Sequence, residues 1–201
     1  MRYLVNGQEM KEIDRRSIED YGIPSLVLME RAALKVAKEA ESILMERFGT
    51  LRKRVCAVCG LGNNGADGAA VARMLFLHGA SVSVLLPEFE GKMSREMEVQ
   101  LSIVKKLGIP VYEAENFEEE SCDLIIDAVF GIGLTRPVGG RYQTMIEWIN
   151  AQEDAVVISV DIPCCFSNLR YRRTGTPISS TLPIIIILSG RRRKQAAMLS
   201  I

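Results

Sequence analysis

Apolar residues change their spacing several times along the chain, and each change predicts a new element. Up to Phe48 they recur every three or four residues, with a break at Gly22–Pro24, which is typical of two helices. From Arg54 onward, short apolar runs of strand length alternate with segments of helical spacing. The predicted helices span 6–21, 25–48, 67–78, 94–107 and 141–150, and the predicted strands span 54–60, 81–86, 109–112, 124–128 and 155–160. Ser25 is expected to cap the second helix and Gly49 to end it.

This alternation predicts the fold class. Strands joined through helices by short connections indicate βαβ units and a parallel sheet. Five such strands predict an α/β protein with a Rossmann-like, doubly wound, mostly parallel sheet in three layers, α/β/α, preceded by two N-terminal helices. Three polar or glycine-rich segments follow strand ends, at Gly60–Gly68, Asp127–Gly133 and Asp161–Pro163. Ligands of such sheets bind beyond the carboxyl ends of the strands, so these segments predict a binding site.

Gly60–Gly68 joins the first strand to a helix and contains four glycines, which allow tight turns and close approach to a ligand. The free N–H groups of the helix would suit a phosphate. Gly60, Gly62 and Gly65 match the dinucleotide fingerprint only in their spacing. The side chains of Asn63, Asn64 and Asp67 could coordinate a hard cation or orient a sugar. The alternative is a plain turn with Asp67 as helix N-cap, and both interpretations stay open.

Two carboxylates, Asp127 and Asp161, stand where apolar strands end. A carboxylate there is costly to bury without a partner, so each is expected to face a ligand, a cation or backbone donors. Together with the asparagines they predict an oxygen-rich pocket in which one carboxylate binds a cation and another acts as an acid or base. The alternative for each is a turn residue with satisfied hydrogen bonds.

Cysteine and histidine usage excludes several kinds of site. Cys56 and Cys59 are three residues apart in one strand, so their side chains are expected on opposite faces of the sheet and buried. The one histidine, His78, is expected at a helix end, which disfavours histidine metal sites and serine triads. Five cysteines without an apolar signal segment predict reduced thiols and a cytoplasmic protein, and no apolar run is long enough to predict a membrane span.

Charge divides the chain although the formal net charge is zero. Residues 162–201 contain seven basic residues and no acidic one, which leaves 18 basic and 25 acidic residues in the first 161. Net charges of −7 and +7 therefore predict two unlike parts. The composition of the tail disfavours binding of nucleic acid, because seven basic residues over forty are sparse and have few aromatic neighbours.

The three strand-end segments, taken in order, resemble the NAD(P)HX epimerases, also called YjeF N-terminal domains. The resemblance is carried by Asn63-Asn-Gly-Ala-Asp-Gly68, Asp127-Ala-Val-Phe-Gly-Ile-Gly133 and Val160-Asp-Ile-Pro163, with Leu28-Met-Glu-Arg-Ala32 in the N-terminal helices. It covers about residues 8–163. The resemblance implies a Rossmann-like domain, often a homodimer, that interconverts the R and S epimers of hydrated NADH and NADPH in cofactor repair. It also implies a potassium ion at the site.

Matching positions imply the site residues. Asp161 is expected to be the catalytic acid or base and also to contact substrate, and Asn64 and Asp127 are expected to bind potassium. The other expected substrate contacts are Asn63, Asn64, Gly65, Ala66, Asp67, Gly131, Ile132, Gly133, Leu134, Thr135, Arg136 and Pro137.

The sequence departs from the family after Pro163. A serine that would ligate potassium is replaced by Cys164, whose soft thiol suits a hard cation poorly. We therefore expect an epimerase domain over 1–163 and an atypical basic tail over 164–201. The tail is explained either by an altered reading frame or by a divergent C-terminus. A non-catalytic binding or scaffold module on the same fold is the alternative function. Residues 184–188 are apolar enough for a further strand.

Overall fold

The computed structural model describes residues 7–117, 121–131, 138–160, 185–189 and 197–199. Within these residues, seven strands form one sheet in the order β3-β2-β1-β4-β5-β6-β7. The helices are α1 (Gly7–Glu19), α2 (Ser25–Phe48), α3 (Asn63–Leu77), α4 (Arg95–Lys106) and α5 (Arg141–Ala151). The strands are β1 (Arg54–Cys59), β2 (Ser81–Leu86), β3 (Val111–Glu113), β4 (Leu124–Ala128), β5 (Val156–Ser159), β6 (Ile185–Ser189) and β7 (Ala197–Leu199).

The first five strands pair in parallel, as the alternation of strands and helices predicts. Their crossover helices cover both faces of the sheet. One buried cluster joins α2, α3 and α4 to one face, and a second cluster joins α5 to the other. Because side chains alternate along a strand, Cys59 lies in the first cluster and Cys56 in the second. The predicted fold class and the opposite placement of these two cysteines are confirmed.

Helix α3 differs most from its predicted bounds. It begins at Asn63, four residues before the predicted start at Asp67, because Gly62 and not Asp67 is its N-cap. The interpretation of Asp67 as an N-cap is therefore wrong. The helix ends at Leu77, and His78 is its C-cap residue and pairs with Glu41 of α2, which confirms His78 as a structural helix-end residue.

One of the two predicted ends of α2 is confirmed and the other prediction is wrong. Gly49 terminates the helix in the left-handed conformation, with φ of 67° and its N–H donated to Met45 O at 2.9 Å, as predicted. Ser25 does not cap the helix, because Pro24 is the N-cap residue. The Ser25 hydroxyl instead donates to Glu96 Oε1 at 2.7 Å, which links α2 to α4.

Polar side chains connect the three helices on the α2 face. Arg73 of α3 donates to Gln100 Oε1 at 3.0 Å and also pairs with Glu30 of α2. Gln100, which is 1% exposed, completes the connection by donating to Glu30 Oε1 at 3.0 Å. The position of α3, whose first turn faces the candidate site, is therefore determined by contacts with both neighbouring helices.

Two strands lie within the predicted tail. β6 pairs antiparallel with β5, from Val156 opposite Ser189 to Ser159 opposite Ile186, and β7 pairs antiparallel with β6. β6 begins and ends one residue later than the apolar run predicted at 184–188. The sheet remains mostly parallel. The domain boundary after residue 163 stays a prediction. Among the helices in the described ranges, none has the length and apolarity needed to cross a membrane.

Candidate functional site

The candidate site lies where the connections of the sheet diverge. The chain leaves β1 through α3 toward β2 on one side, whereas β4 lies on the other side of β1. Such a divergence opens a crevice at the carboxyl ends of the two strands, which is the usual ligand position in this architecture. The segment after β1 and the segment after β4 meet there, since Gly60 N donates to Ala128 O at 3.0 Å. Two of the three predicted segments are thus adjacent.

The glycines of this loop have different roles, which spacing alone does not reveal. A Cβ at Gly60 would lie under 3.0 Å from Val129 O, and a Cβ at Gly65 would lie under 3.0 Å from Gly60 O. A Cβ at Gly62 would meet no atom within 4 Å. In dinucleotide-binding loops the first glycine makes the tight turn, the second lets the pyrophosphate approach, and the third allows close packing of helix and strand. Gly60, Gly62 and Gly65 fit these three roles.

The first turn of α3 presents backbone donors at the crevice. Gly62, the N-cap, provides no side-chain cap. The N–H groups at the start of a helix have no intrahelical acceptor and carry the positive end of the helix dipole. An anion in front of Asn63 and Asn64 would therefore be favoured. Asp67, one turn further along α3, is partly buried.

Asn64 links this turn to the loop after β4. Its Nδ2 donates to Phe130 O at 2.9 Å, and the side chain is partly buried. The predicted substrate residue Gly131 follows directly and is also partly buried. Asn64 therefore links the segment after β1 to the segment after β4.

Asp127 is buried in the floor of the crevice, with 1% of its surface exposed. Its Oδ2 accepts a hydrogen bond from Ser159 Oγ at 3.1 Å, and its Oδ1 accepts from Val129 N at 3.4 Å. The second contact is the turn interaction considered as an alternative in the sequence. The first is a connection to β5, so Asp127 joins two strands as well as closing a turn.

The pKa of the Cys59 thiol depends on its burial and on the charged side chains near the floor of the crevice. Burial raises its pKa above the ordinary value, and the nearby carboxylates of Asp127 and Asp67 raise it further. Both carboxylates are thus close enough to act on one buried atom.

The donor set fits a potassium ion. Hard cations take carboxylate, amide and carbonyl oxygens, and protein carbonyls can replace the hydration shell of potassium. The side chains of Asn64 and Asp127 and the Phe130 carbonyl supply such oxygens at one edge of the sheet. In the ranges the structure describes, no three His, Cys, Asp or Glu side chains group as a site for a metal ion.

Several predicted site residues lie outside the described residues. They are Ile132, Gly133, Leu134, Thr135, Arg136, Pro137, Asp161 and Cys164. The described residue nearest to Asp161 is Val160, whose N–H donates to Asp127 O at 3.0 Å. Val160 therefore lies at the same edge of the sheet as Asp127.

Sequence reasoning missed Ser159. It is 0% exposed and supplies a hydrogen bond to Asp127. The signal was present, because Ser159 interrupts the apolar run Val156–Val160, and a hydroxyl in a buried strand requires a partner. Parallel neighbours pair in register, so the hydroxyl and the carboxylate opposite it form that pair.

The sheet order and the glycine loop at its point of divergence place the chain in the class of Rossmann-like α/β proteins. Within that class, the chain belongs to the family described as YjeF-related protein N-terminus, whose model matches residues 25–181. This confirms the resemblance, and the match continues past Pro163.

Curated relatives and a solved structure are consistent with this family. The NAD(P)H-hydrate epimerase of Weissella koreensis is 39% identical over 185 residues, which cover 92% of this chain and 80% of that protein. The NAD(P)H-hydrate epimerase of Leuconostoc mesenteroides is 42% identical over 166 residues, which cover 81% and 70%. The crystal structure of yeast ynu0 (YNL200c) superposes with a TM-score of 0.72 at 25% identity, covering 90% of this chain and 82% of that one.

Proposed function

We propose that this chain is an NAD(P)H-hydrate epimerase, an isomerase that interconverts the R and S epimers of hydrated NADH and NADPH. The single observation that carries the proposal is the meeting of the Gly60–Gly68 loop and the segment after β4 at the point where the sheet connections diverge. The relatives that bear this activity by name match over most of the chain. A dinucleotide is also the ligand for which the glycine loop is suited.

The substrate phosphates would lie in front of α3. The open space at Gly62 and the N–H groups of Asn63 and Asn64 support this placement. Asn64 and Gly131 would then contact the substrate from either side of the crevice, with Gly65, Ala66 and Asp67 along the helix. We extend the contact set to residues 132–137 and Asp161 on the strength of the family motif alone.

Asp161 is the proposed catalytic acid and base. Epimerisation breaks a bond at the hydrated ring carbon and then re-forms it. Asp161 would donate a proton to the substrate in the first step and take a proton back in the second, so no reactant is consumed overall. β5 ends at the same edge of the sheet as Asp127, and Asp161 follows the last residue of β5 by two positions in the sequence, which supports this assignment. In a partly dry crevice a carboxylate can exchange that proton near neutral pH.

Asn64 and Asp127 would hold the proposed potassium ion, with Cys164 at the position of a family serine. The ion would supply positive charge close to the phosphates and the buried carboxylates. Asp127 would remain in place through Ser159, and Asn64 through Phe130. We further propose a homodimer in the cytoplasm. The buried thiols of Cys56, Cys59 and Cys122 support a reducing compartment.

The test is clearance of the R epimer. A mixture of R and S NADHX is incubated with the protein and an excess of an S-specific dehydratase, in potassium and in sodium buffer. The proposal expects the R epimer to disappear faster than it does spontaneously, and faster in potassium. Clearance at the spontaneous rate in both buffers rejects the epimerase. Saturable binding of NADHX without clearance would favour the non-catalytic module. Equal acceleration in both buffers rejects only the potassium ion.

Two variants test the role of Asp161. Asp161→Asn is expected to reduce the rate to the spontaneous one, because the amide cannot exchange the proton. Asp154→Asn makes the same chemical change at an exposed position before β5 and is expected to keep the wild-type rate. An active Asp161→Asn protein would remove Asp161 from the mechanism.

A further inference from the structure

An acidic residue stands at a second strand end beside the glycine loop. β2 ends at Leu86, and Glu88 follows two residues later, 23 residues after Gly65, the third glycine of the loop motif. β2 pairs in parallel with β1, so its carboxyl end lies at the edge of the sheet that carries the loop. In dinucleotide-binding sheets an acidic side chain about 20 residues after the glycine motif accepts hydrogen bonds from the adenosine ribose, and an arginine nearby accommodates a 2′-phosphate.

Glu88 approaches the glycine loop over Gly91. A Cβ at Gly91 would lie under 3.0 Å from Leu61 Cδ1 and 2.8 Å from Glu88 Oε1. The same connection is attached to the loop by Ser94 N, which donates to Leu61 O at 2.9 Å. The Glu88 carboxylate therefore lies beside the loop proposed to hold the phosphates, where the next part of a dinucleotide would be.

An arginine faces Glu88. Arg141, the first residue of α5, pairs with Glu88 and donates to Glu115 Oε1 at 2.9 Å. The side chains of Arg141 and Glu88 are 40% and 39% exposed, so a ligand can reach both. Arg141 lowers the pKa of Glu115 by its hydrogen bond, which keeps Glu115 ionised and Arg141 in place. The arginine is thus attached at two points, of which only one is Glu88.

An exposed aromatic ring completes this surface. Phe89 follows Glu88, is 41% exposed, and its backbone N–H donates to Glu113 Oε1 at 2.6 Å. Lys105 Nζ lies 5.2 Å from the centroid of this ring. The exposed part of the ring is suited to contact a nucleobase, since every base can stack on an aromatic side chain.

We propose that Glu88 and Arg141 form the subsite for the adenosine ribose, with Phe89 against the base, and that Glu88 makes the protein prefer NADHX over NADPHX. The proposal rests on the proposed function, since it assigns a further part of the same substrate. The 2′-hydroxyl of NADHX donates to Glu88. The 2′-phosphate of NADPHX would meet this carboxylate and an arginine whose charge is already balanced by Glu88 and Glu115.

The test compares kcat/KM for the two hydrates. Wild-type protein is expected to favour NADHX. Glu88→Gln removes the negative charge while Glu115 keeps Arg141 in position, so the ratio of NADPHX to NADHX is expected to rise by at least about tenfold. Glu90→Gln makes the same change at an exposed position two residues away and is expected to leave the ratio within about twofold. In Glu88→Gln/Arg141→Gln the gain is expected to disappear, because the cation that receives the phosphate is gone.

Binding of fragments separates this inference from the epimerase. Affinities for 5′-AMP and for adenosine 2′,5′-bisphosphate are measured by NMR titration, which requires no turnover. Wild type should favour 5′-AMP and Glu88→Gln should shift the preference toward the bisphosphate. If the fragments behave this way and no hydrate is epimerised, the subsite stands and the proposed function fails. Equal ratios in wild type, Glu88→Gln and Glu90→Gln, in turnover and in binding, overturn the subsite.

Discussion

Ser159 Oγ donates a hydrogen bond of 3.1 Å to Asp127 Oδ2, and the two residues are partners in the β4–β5 register. Both side chains are buried. A buried carboxylate is costly unless donors reach its oxygens, so the hydroxyl has a structural and an electrostatic role. It also positions Asp127, which we propose as a potassium ligand.

Ser159→Ala is expected to lower the free energy of unfolding by about 1–3 kcal/mol, because Asp127 loses a buried donor. Urea denaturation measures the change. Ser42→Ala, which removes an exposed contact with Glu46 in α2, should cost less than about 0.5 kcal/mol. Equal costs for the two variants would show that the Ser159 hydroxyl contributes nothing specific.

The glycines of the loop give a second prediction: Gly65→Ala is expected to reduce mainly stability, and Gly62→Ala mainly activity. Gly65→Ala places a Cβ against the backbone oxygen of Gly60 and is expected to destabilise the fold by about 3 kcal/mol or more. Gly62→Ala meets open space and should cost less than about 1 kcal/mol, mostly as a poorer N-cap. Thermal unfolding checks both values.

The activity of the Gly62→Ala protein then tests the phosphate position. Its methyl group projects where the dinucleotide is proposed to approach, so R-epimer clearance should fall at least about tenfold, mainly through KM. Wild-type clearance by a stable Gly62→Ala protein would place the phosphates elsewhere. The opposite stability order, with Gly62→Ala the less stable protein, would contradict the packing derived for Gly65.

The parallel core and its strand ends were accessible from the sequence, because buried strands are short apolar runs and their helices have a different period. The start of α3 could not be predicted in this way. The N-cap is Gly62, which has no capping side chain, whereas Asp67 has a side chain of the type preferred at N-cap positions. The different roles of Gly60 and Gly62 depend on Val129, which is distant in sequence. The pairing of Ser159 with Asp127 likewise requires the strand register.

Cys59 provides a third prediction, about reactivity. Its pKa is raised by burial and by the carboxylates of Asp127 and Asp67, so at neutral pH it is a neutral thiol shielded from reagents. Iodoacetamide should modify Cys59 at least about a hundredfold more slowly in native protein than in urea, as followed by peptide mass spectrometry. Modification at similar rates in both conditions would show that the floor of the crevice is open.

Ser25 and Glu96 give a prediction about pH. The hydrogen bond from Ser25 lowers the pKa of Glu96 in the folded protein. A depressed folded pKa contributes stability that is present above the unfolded value of about 4.3 and is lost as the pH falls through the folded value. Ser25→Ala should therefore raise the pKa of Glu96 in an NMR titration and destabilise the protein at pH 7.

The difference in stability between wild type and Ser25→Ala should shrink as the pH falls below about 4, because Glu96 becomes protonated in both proteins. Ser17→Ala is the matched control, since the Ser17 hydroxyl donates to the Ile13 carbonyl, which does not titrate in this range. Its effect on the urea midpoint should not vary with pH. A Ser25→Ala difference that stays constant from pH 7 to pH 3 would show that the Glu96 carboxylate does not carry the link between α2 and α4.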